Sequence, residues 1–424
     1  METGYPVEKN HSGYARVLEK TRKIAWLTPE IPFPPIGGRN GVYNRIVQLS
    51  KYNEIFLFSI AYSEEERATE YTMKKYCKEV HYYNRNDSKV KTILKSLFSP
   101  YSVASRTIPE LQNSLQKTII EEKIDVIIVD FPNMAKNLFG INCTQQYCTL
   151  NQHNNEYVRM REMYKIKTIP FYKRAAYYLE SLRLENYEKE LYKKRVFSSI
   201  TFFSKDDLNA FQIRWGNVYN GKLELFPLGA NKVDVKQSLT NNHTMLFVGR
   251  LDSVATTNIE AVQWLVKEIL PKVLNESPNA KLVIAGANPT KEIQNLECNS
   301  IRIIPNYKSL EDVYSLADVV LLPLLSGGGV KGKLLEAAAF NKVIISTNHG
   351  IEGTEFKPDK DVLLGNTADE FAQCCLKVLN DVELSKTMAK NANSLFLNLY
   401  DWNSIGERYN KFLLNECKDN SDEN

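Results

Sequence analysis

The sequence predicts an α/β protein of two parallel-sheet domains facing a cleft, and three observations carry that reading. Short apolar runs such as DVIIVD (125–130) and DVVLLP (318–323) are uninterrupted, as strands buried on both faces require. Longer amphipathic stretches separate them, so strand and helix alternate. The alternation restarts near Thr244, after a polar, turn-rich stretch at 227–242 that reads as a linker. The expectation is one Rossmann-like domain over 1–235 and a second over 243–397. A last helix at 398–417 is expected to pack back on the first domain.

Taken in chain order, first-domain strands are predicted at 23–27, 54–60, 79–83, 124–130, 147–151, 199–203 and 223–226. Second-domain strands are predicted at 244–249, 280–286, 301–304, 317–323 and 342–347, with helices at 258–274 and 331–340. In such sheets ligands bind beyond the carboxyl ends of strands, and a cleft between domains is a favoured site. The loops that follow strands therefore hold the candidate residues.

Composition narrows the class. Hydrophobic residues at 43% and charged residues at 25% are globular proportions and exclude a disordered chain. A net charge of +4 is too small to argue for nucleic acid. Seven cysteines without a CxxC pair read as free thiols, with no zinc site. The first residues lack an apolar signal core, and no window approaches the roughly 18 apolar residues of a spanning helix, so a cytoplasmic protein is expected. Charge is unevenly spread. Segment 157–195 holds 11 Lys and Arg against 5 Asp and Glu, and segment 74–106 holds 8 against 2. These segments form either a surface for anionic lipid, at the inner membrane face, or a solvated helix face without a partner.

The densest signal is SGGGVKGKLLEAAAFNKVIIST, 326–347, directly after a buried strand. Gly327, Gly328 and Gly329 let backbone approach a ligand closely. A helix starting near Val330 presents free N–H groups, and Lys331 and Lys333 add full positive charge in its first turn. Glu336, about a turn further on, can accept hydrogen bonds from a ribose. The set suits a nucleoside diphosphate.

With these residues in place, the chain resembles family 4 of the glycosyltransferases, a retaining group of the GT-B superfamily. The matching positions are Pro323, Gly327–Gly329, Lys333, Glu336, Ala337 and 344–347. The resemblance implies that Lys333 contacts the donor diphosphate and Glu336 the ribose. Many members carry a second glutamate eight residues before the first; here that position is Gly328, so no catalytic carboxylate is assigned. Gly249, Arg250, Asn258 and Gly286 occupy further family positions. Arg250, at a strand end, either forks onto phosphate oxygens or makes an ordinary salt bridge.

Two loops complete the set. PEIPFPPIGGRNG, 29–41, follows the first strand; the resemblance turns Gly37 and Gly38 toward the donor phosphate and acceptor. It is not the GxGxxG fingerprint, which disfavours a nicotinamide enzyme. LNQHNNEY, 150–157, places His153 after a short strand, where the family's histidine reaches the donor sugar. Asn154 and Glu156 are weaker companions, and Asp130 either binds acceptor or caps a helix. Gly350, Gly353, Asn306 and Tyr307 are candidates by position alone.

The function expected is retaining transfer of a hexose from a UDP- or GDP-sugar to a glycan, lipid-linked or protein acceptor. Neither cofactor nor metal is expected, since no DxD stands in a fitting place, and no nucleic acid partner. The alternative is a non-catalytic partner of an active transferase on the same fold.

Overall fold

The computed structural model describes residues 21–35, 38–84, 89–153, 155–166, 169–234, 243–253, 255–326 and 330–422. Two sheets organise them. The first contains β1 (Lys23–Thr28), β2 (Glu54–Ala61), β3 (Glu79–Asn84), β4 (Val126–Asp130), β5 (Tyr147–Gln152), β6 (Ser199–Phe202) and β7 (Lys222–Leu225). Its order is β3-β2-β1-β4-β5-β6-β7, all parallel. The second contains β8 (Thr244–Val248), β9 (Lys281–Gly286), β10 (Ile301–Pro305), β11 (Val319–Leu322), β12 (Val343–Ser346) and β13 (Leu363–Leu364), in the order β10-β9-β8-β11-β12-β13. Strand order reverses between β1 and β4 in one sheet and between β8 and β11 in the other. These switch points are where doubly wound sheets leave a crevice for ligand.

Burial follows the two-residue period of a strand with both faces covered. In β1, Ala25 and Leu27 join the core on one face, and Ile24 and Trp26 the core on the other. In β8, Met245 and Phe247 face one core, and Leu246 and Val248 the opposite one. Each leucine, isoleucine, valine, methionine or phenylalanine so removed from water contributes roughly 1.5–3 kcal/mol, which is why the central strands read as unbroken apolar runs. Edge strand β10 differs: Ile301 is buried but Arg302 is exposed.

The predicted helix at 258–274 is broken into three pieces. An α-helix at Thr256–Trp264 passes through a π turn at Leu265–Ile269 into a second α-helix at Leu270–Glu276. Pro271 explains the slip, because it lacks an N–H and its ring crowds the carbonyl four residues back. The two-residue strand β13 was not predicted. All seven cysteines are free thiols.

The terminal helix, Trp402–Asp422, lies against the Arg39–Leu49 helix of the first domain. Asn53 donates to Asn410 at 2.9 Å, and the Phe226 and Tyr409 rings stack at 4.4 Å. The chain thus crosses between domains twice, near residue 230 and near residue 401. The crossings are hydrogen-bonded together: Ala230 N–H donates to Tyr400 C=O at 2.9 Å, and Trp402 N–H to Ala230 C=O at 3.2 Å. Gly229 permits this approach, since a Cβ there would sit 2.7 Å from the Tyr400 carbonyl oxygen.

Candidate active site

In the second domain the candidate groups gather at the β8/β11 crevice. After β11 the chain runs through Pro323 and Ser326 to a helix at Gly332–Ala339. The helix begins two residues later than expected, so Lys331 precedes it as a buried residue with extended backbone and Lys333 alone of the two lies in the first turn. Gly332, without a side chain, starts the turn next to the helix N–H groups. Gly327, Gly328 and Gly329 lie outside the described residues. Half-buried Val330 stands 3.7 Å from where a Cβ on Gly353 would be.

Lys333 is gripped from the start of the Thr256–Trp264 helix. Its Nζ donates to Asn258 Oδ1 at 2.6 Å and lies 4.9 Å from the Phe247 ring centre. Asn258 Nδ2 donates in turn to the Arg250 carbonyl at 2.9 Å. Gly249 makes room: a Cβ there would meet Asn258 Nδ2 at 3.0 Å and Lys333 Nζ at 3.2 Å. Burial lowers the Lys333 ammonium to about 8; Lys331 pushes it the same way, against the opposing pull of Glu336. A cation partly withdrawn from water at a helix start gains from a bound anion. Lys331 is lowered too, by burial, with Glu352 opposing.

Glu336 sits one turn beyond Lys333. Burial raises its carboxyl above the ordinary range, although it accepts a hydrogen bond from Tyr314 Oη at 3.1 Å. Tyr314, which the sequence did not single out, is itself fixed by stacking on Phe340 at 4.5 Å. Tyr307 is half-buried, and its hydroxyl is raised by burial and by the charge of Glu336, which puts it in the same neighbourhood. Arg250 departs from expectation in one respect. Its backbone joins the Lys333 cluster, but its guanidinium is 63% exposed and donates to Asp252 at 2.5 Å rather than pointing at Lys333.

In the first domain the β1/β4 crevice holds a polar cluster beneath aromatic rings. Asp130, fully buried at the end of β4, accepts from Trp26 Nε1 at 2.5 Å and Asn151 Nδ2 at 2.9 Å. His153 Nε2 lies 2.9 Å from the same carboxylate. The imidazole stacks on Phe131 at 4.0 Å and against Phe203 at 4.2 Å. Beyond Phe203, the buried Arg45 guanidinium packs 3.5 Å from that ring's centre, and burial lowers it to about 10. Phe131, Phe203, Trp26 and Arg45 escaped the sequence reading, because they come from four separate elements that only the fold assembles. Asp130 therefore orients His153 and caps no helix: the helical turn at Pro132–Leu138 has no side-chain cap.

Of the remaining candidates, Gly38 flanks the Arg39–Leu49 helix with open space where a Cβ would be, and Gly37 and Asn154 lie outside the described residues. Glu156 is buried in the first turn of its own helix, paired with Arg159 at 3.7 Å. Asn306 donates structure rather than a free group: its Oδ1 accepts from Asn288 N–H at 2.9 Å. The two sheets' carboxyl ends face each other. Lys205, just after β6, pairs with Glu355, beyond β12, at 2.7 Å. A Cβ on Gly353 would sit 3.3 Å from Asp206.

Residues 242–381, the span holding the Lys333 cluster, match the family model described as glycosyl transferases group 1. A Klebsiella pneumoniae protein described as an uncharacterised 44.6 kDa protein in the cps region is 25% identical over 393 residues, covering 89% of this chain and 96% of its own length. Among solved structures, a glycosyltransferase from Rickettsia africae superposes with a TM-score of 0.58 at 13% identity, covering 93% of this chain and 98% of that one. Anabaena Alr3699/HepE, crystallised with UDP and glucose, gives 0.54 at 13% identity, covering 93% and 100%. The architecture is that of the GT-B glycosyltransferases.

Proposed function

We propose that the protein is a glycosyltransferase that moves a sugar from a nucleoside-diphosphate sugar to an acceptor hydroxyl with retention at the anomeric carbon. The observation that carries this reading is Lys333: a half-buried ammonium on the first turn of a helix, beside Asn258 and Gly249 at the switch point of the second sheet. As the C1–O bond breaks, the bonding pair leaves with the diphosphate. Lys333 and the helix N–H groups stabilise that charge without reorganising, and such preorganised electrostatics is often the largest catalytic contribution. The acceptor oxygen bonds to C1 on the departing side and passes its proton to the diphosphate. Glu336 holds the ribose, Arg250 swings from Asp252 onto phosphate, and His153, fixed by Asp130, meets the sugar. A UDP-linked donor is favoured because a neighbour of the same fold was crystallised with UDP and glucose.

A second reading, a non-catalytic partner on the same fold, is favoured by one observation: Gly328 stands where many members of the resembled family carry a carboxylate. One experiment separates them. UDP-, GDP- and ADP-sugars are screened by thermal shift, and consumption of the stabilising donor is measured for wild type and Lys333→Ala. The transferase reading expects a fall of about 10²- to 10³-fold in turnover with the fold intact. Binding without turnover in the wild type selects the partner reading, and undiminished turnover in Lys333→Ala removes Lys333 from the site.

A further inference from the structure

The Phe171–Lys193 helix is apolar on two opposite faces. Leu184, Leu191 and Tyr192 enter the first-domain core. On the other side Phe171, Tyr178 and Leu182, spaced by seven and four residues, align as one stripe with Tyr172 and Leu179 beside it. These side chains are exposed, Phe171 by 78% and Leu179 by 60%, where a helix on a globular domain usually turns charged residues to water. A second apolar set adjoins it. Leu94, Leu97 and Phe98 follow from the Lys89–Lys95 helix, and Phe98 is 91% exposed.

The two sets are locked side by side. The Arg183 guanidinium donates to the Ser96 carbonyl, and the Glu180 carboxylate accepts from the N–H groups of Tyr101 and Ser102, each at 3.1 Å. Between them runs a groove of about 570 Å³, whose walls include Phe98, Phe139 and Tyr187 together with Lys136, Arg183 and Lys194. The two sequence segments that build this region hold 19 Lys and Arg against 7 Asp and Glu, although the whole chain carries only +4. Protruding apolar and tyrosine side chains in a region where positive charge outnumbers the carboxylates, Glu180 and Glu190 among them, match the boundary of a bilayer: apolar acyl chains beneath anionic phosphates. Among the described residues no helix is long and apolar enough to cross a membrane, so any contact is at the surface.

We propose that this face docks the protein on anionic lipid, with Leu97, Phe98, Phe171 and Leu179 entering the headgroup boundary and the groove receiving a lipid phosphate. The inference deepens the transferase reading by pointing to an acceptor carried at a membrane surface, but its test uses no donor and no turnover, so either can fail alone. The full chain is sedimented with vesicles of phosphatidylcholine and of equimolar phosphatidylcholine and phosphatidylglycerol. It is expected to pellet with the anionic vesicles only, and less so at high salt. Phe98→Ser combined with Phe171→Ser, both exposed and so compatible with folding, should reduce binding by about tenfold or more with an unchanged melting temperature. Lys173→Glu, which leaves the apolar stripe in place, should weaken binding to anionic vesicles. Equal recovery with both vesicle types, or binding indifferent to all three substitutions, overturns the proposal. So does a dimer in size-exclusion chromatography that the Phe98/Phe171 variant dissolves, which would assign the face to a second copy of the chain.

Discussion

Lys333 carries two opposed consequences of one burial. The folded protein holds its ammonium at about 8, below the ordinary lysine value of 10.5, so between those values the unfolded chain binds the extra proton and stability rises with pH. The cation that a diphosphate would meet disappears over the same range. Affinity for UDP, measured by calorimetry, is therefore expected to hold up to about pH 8 and weaken above it, while the melting temperature without ligand changes in the opposite sense. Lys333→Arg, charged throughout, should lose the pH dependence even where it binds less well. Lys333 stood out in the sequence as a candidate, since a lysine in the first turn after three glycines and a strand suits an anion site. Its grip by Asn258 was not, because 75 residues separate them and only the β8/β11 crossover brings them together. The Arg250–Asp252 pair lay two residues apart in plain view, yet spacing does not say whether a guanidinium turns to its neighbour or to a ligand.

At the scale of elements, the central strands were legible to within one or two residues at each end because burial on both faces leaves an unbroken apolar run. What escaped were features decided by single residues: the π turn ahead of Pro271, the start of the helix at Gly332, and β13, too short to leave a run. The Phe171–Lys193 helix shows how far tertiary context can override local pattern. Glu188 on its inner face is fully buried, and burial, with Glu156 nearby, raises its carboxyl to about 8 despite a hydrogen bond from Tyr192. Folding keeps a proton that the unfolded chain releases from about 4.5 upward, so this group erodes stability as pH rises toward 8. Glu188→Gln is expected to gain about 1–2 kcal/mol in urea unfolding at neutral pH and to flatten the pH profile between those values. The exposed side of the same helix was legible only as charge. Its apolar stripe is spaced like a core face, and sequence alone could not say which of two apolar faces met the core.

Across the whole molecule, the two passages of the chain between the sheets, near residues 230 and 401, are bonded to each other. Gly229 lies where a methyl would strike the Tyr400 carbonyl and, at 2.8 Å, Trp402 and Ile405. Gly229→Ala should cost roughly 1–3 kcal/mol, read as a lower urea midpoint, because backbone and two packed side chains must yield. Restoration of the wild-type midpoint by the variant would show that the crossings separate freely. Because the Lys205–Glu355 pair across the cleft is partly exposed, it contributes less to holding the sheets together than the crossings do.

The terminal helix also bears on how the nascent chain matures. The second sheet and its helices form one continuous stretch and can close as soon as that stretch leaves the ribosome. The first sheet cannot finish in the same way, although it is translated earlier, since Trp402, Ile405, Tyr409 and Leu413 supply part of its apolar cover. The half made first is completed last, and a chain cut before Trp402 would have an opening half that stands without its lid.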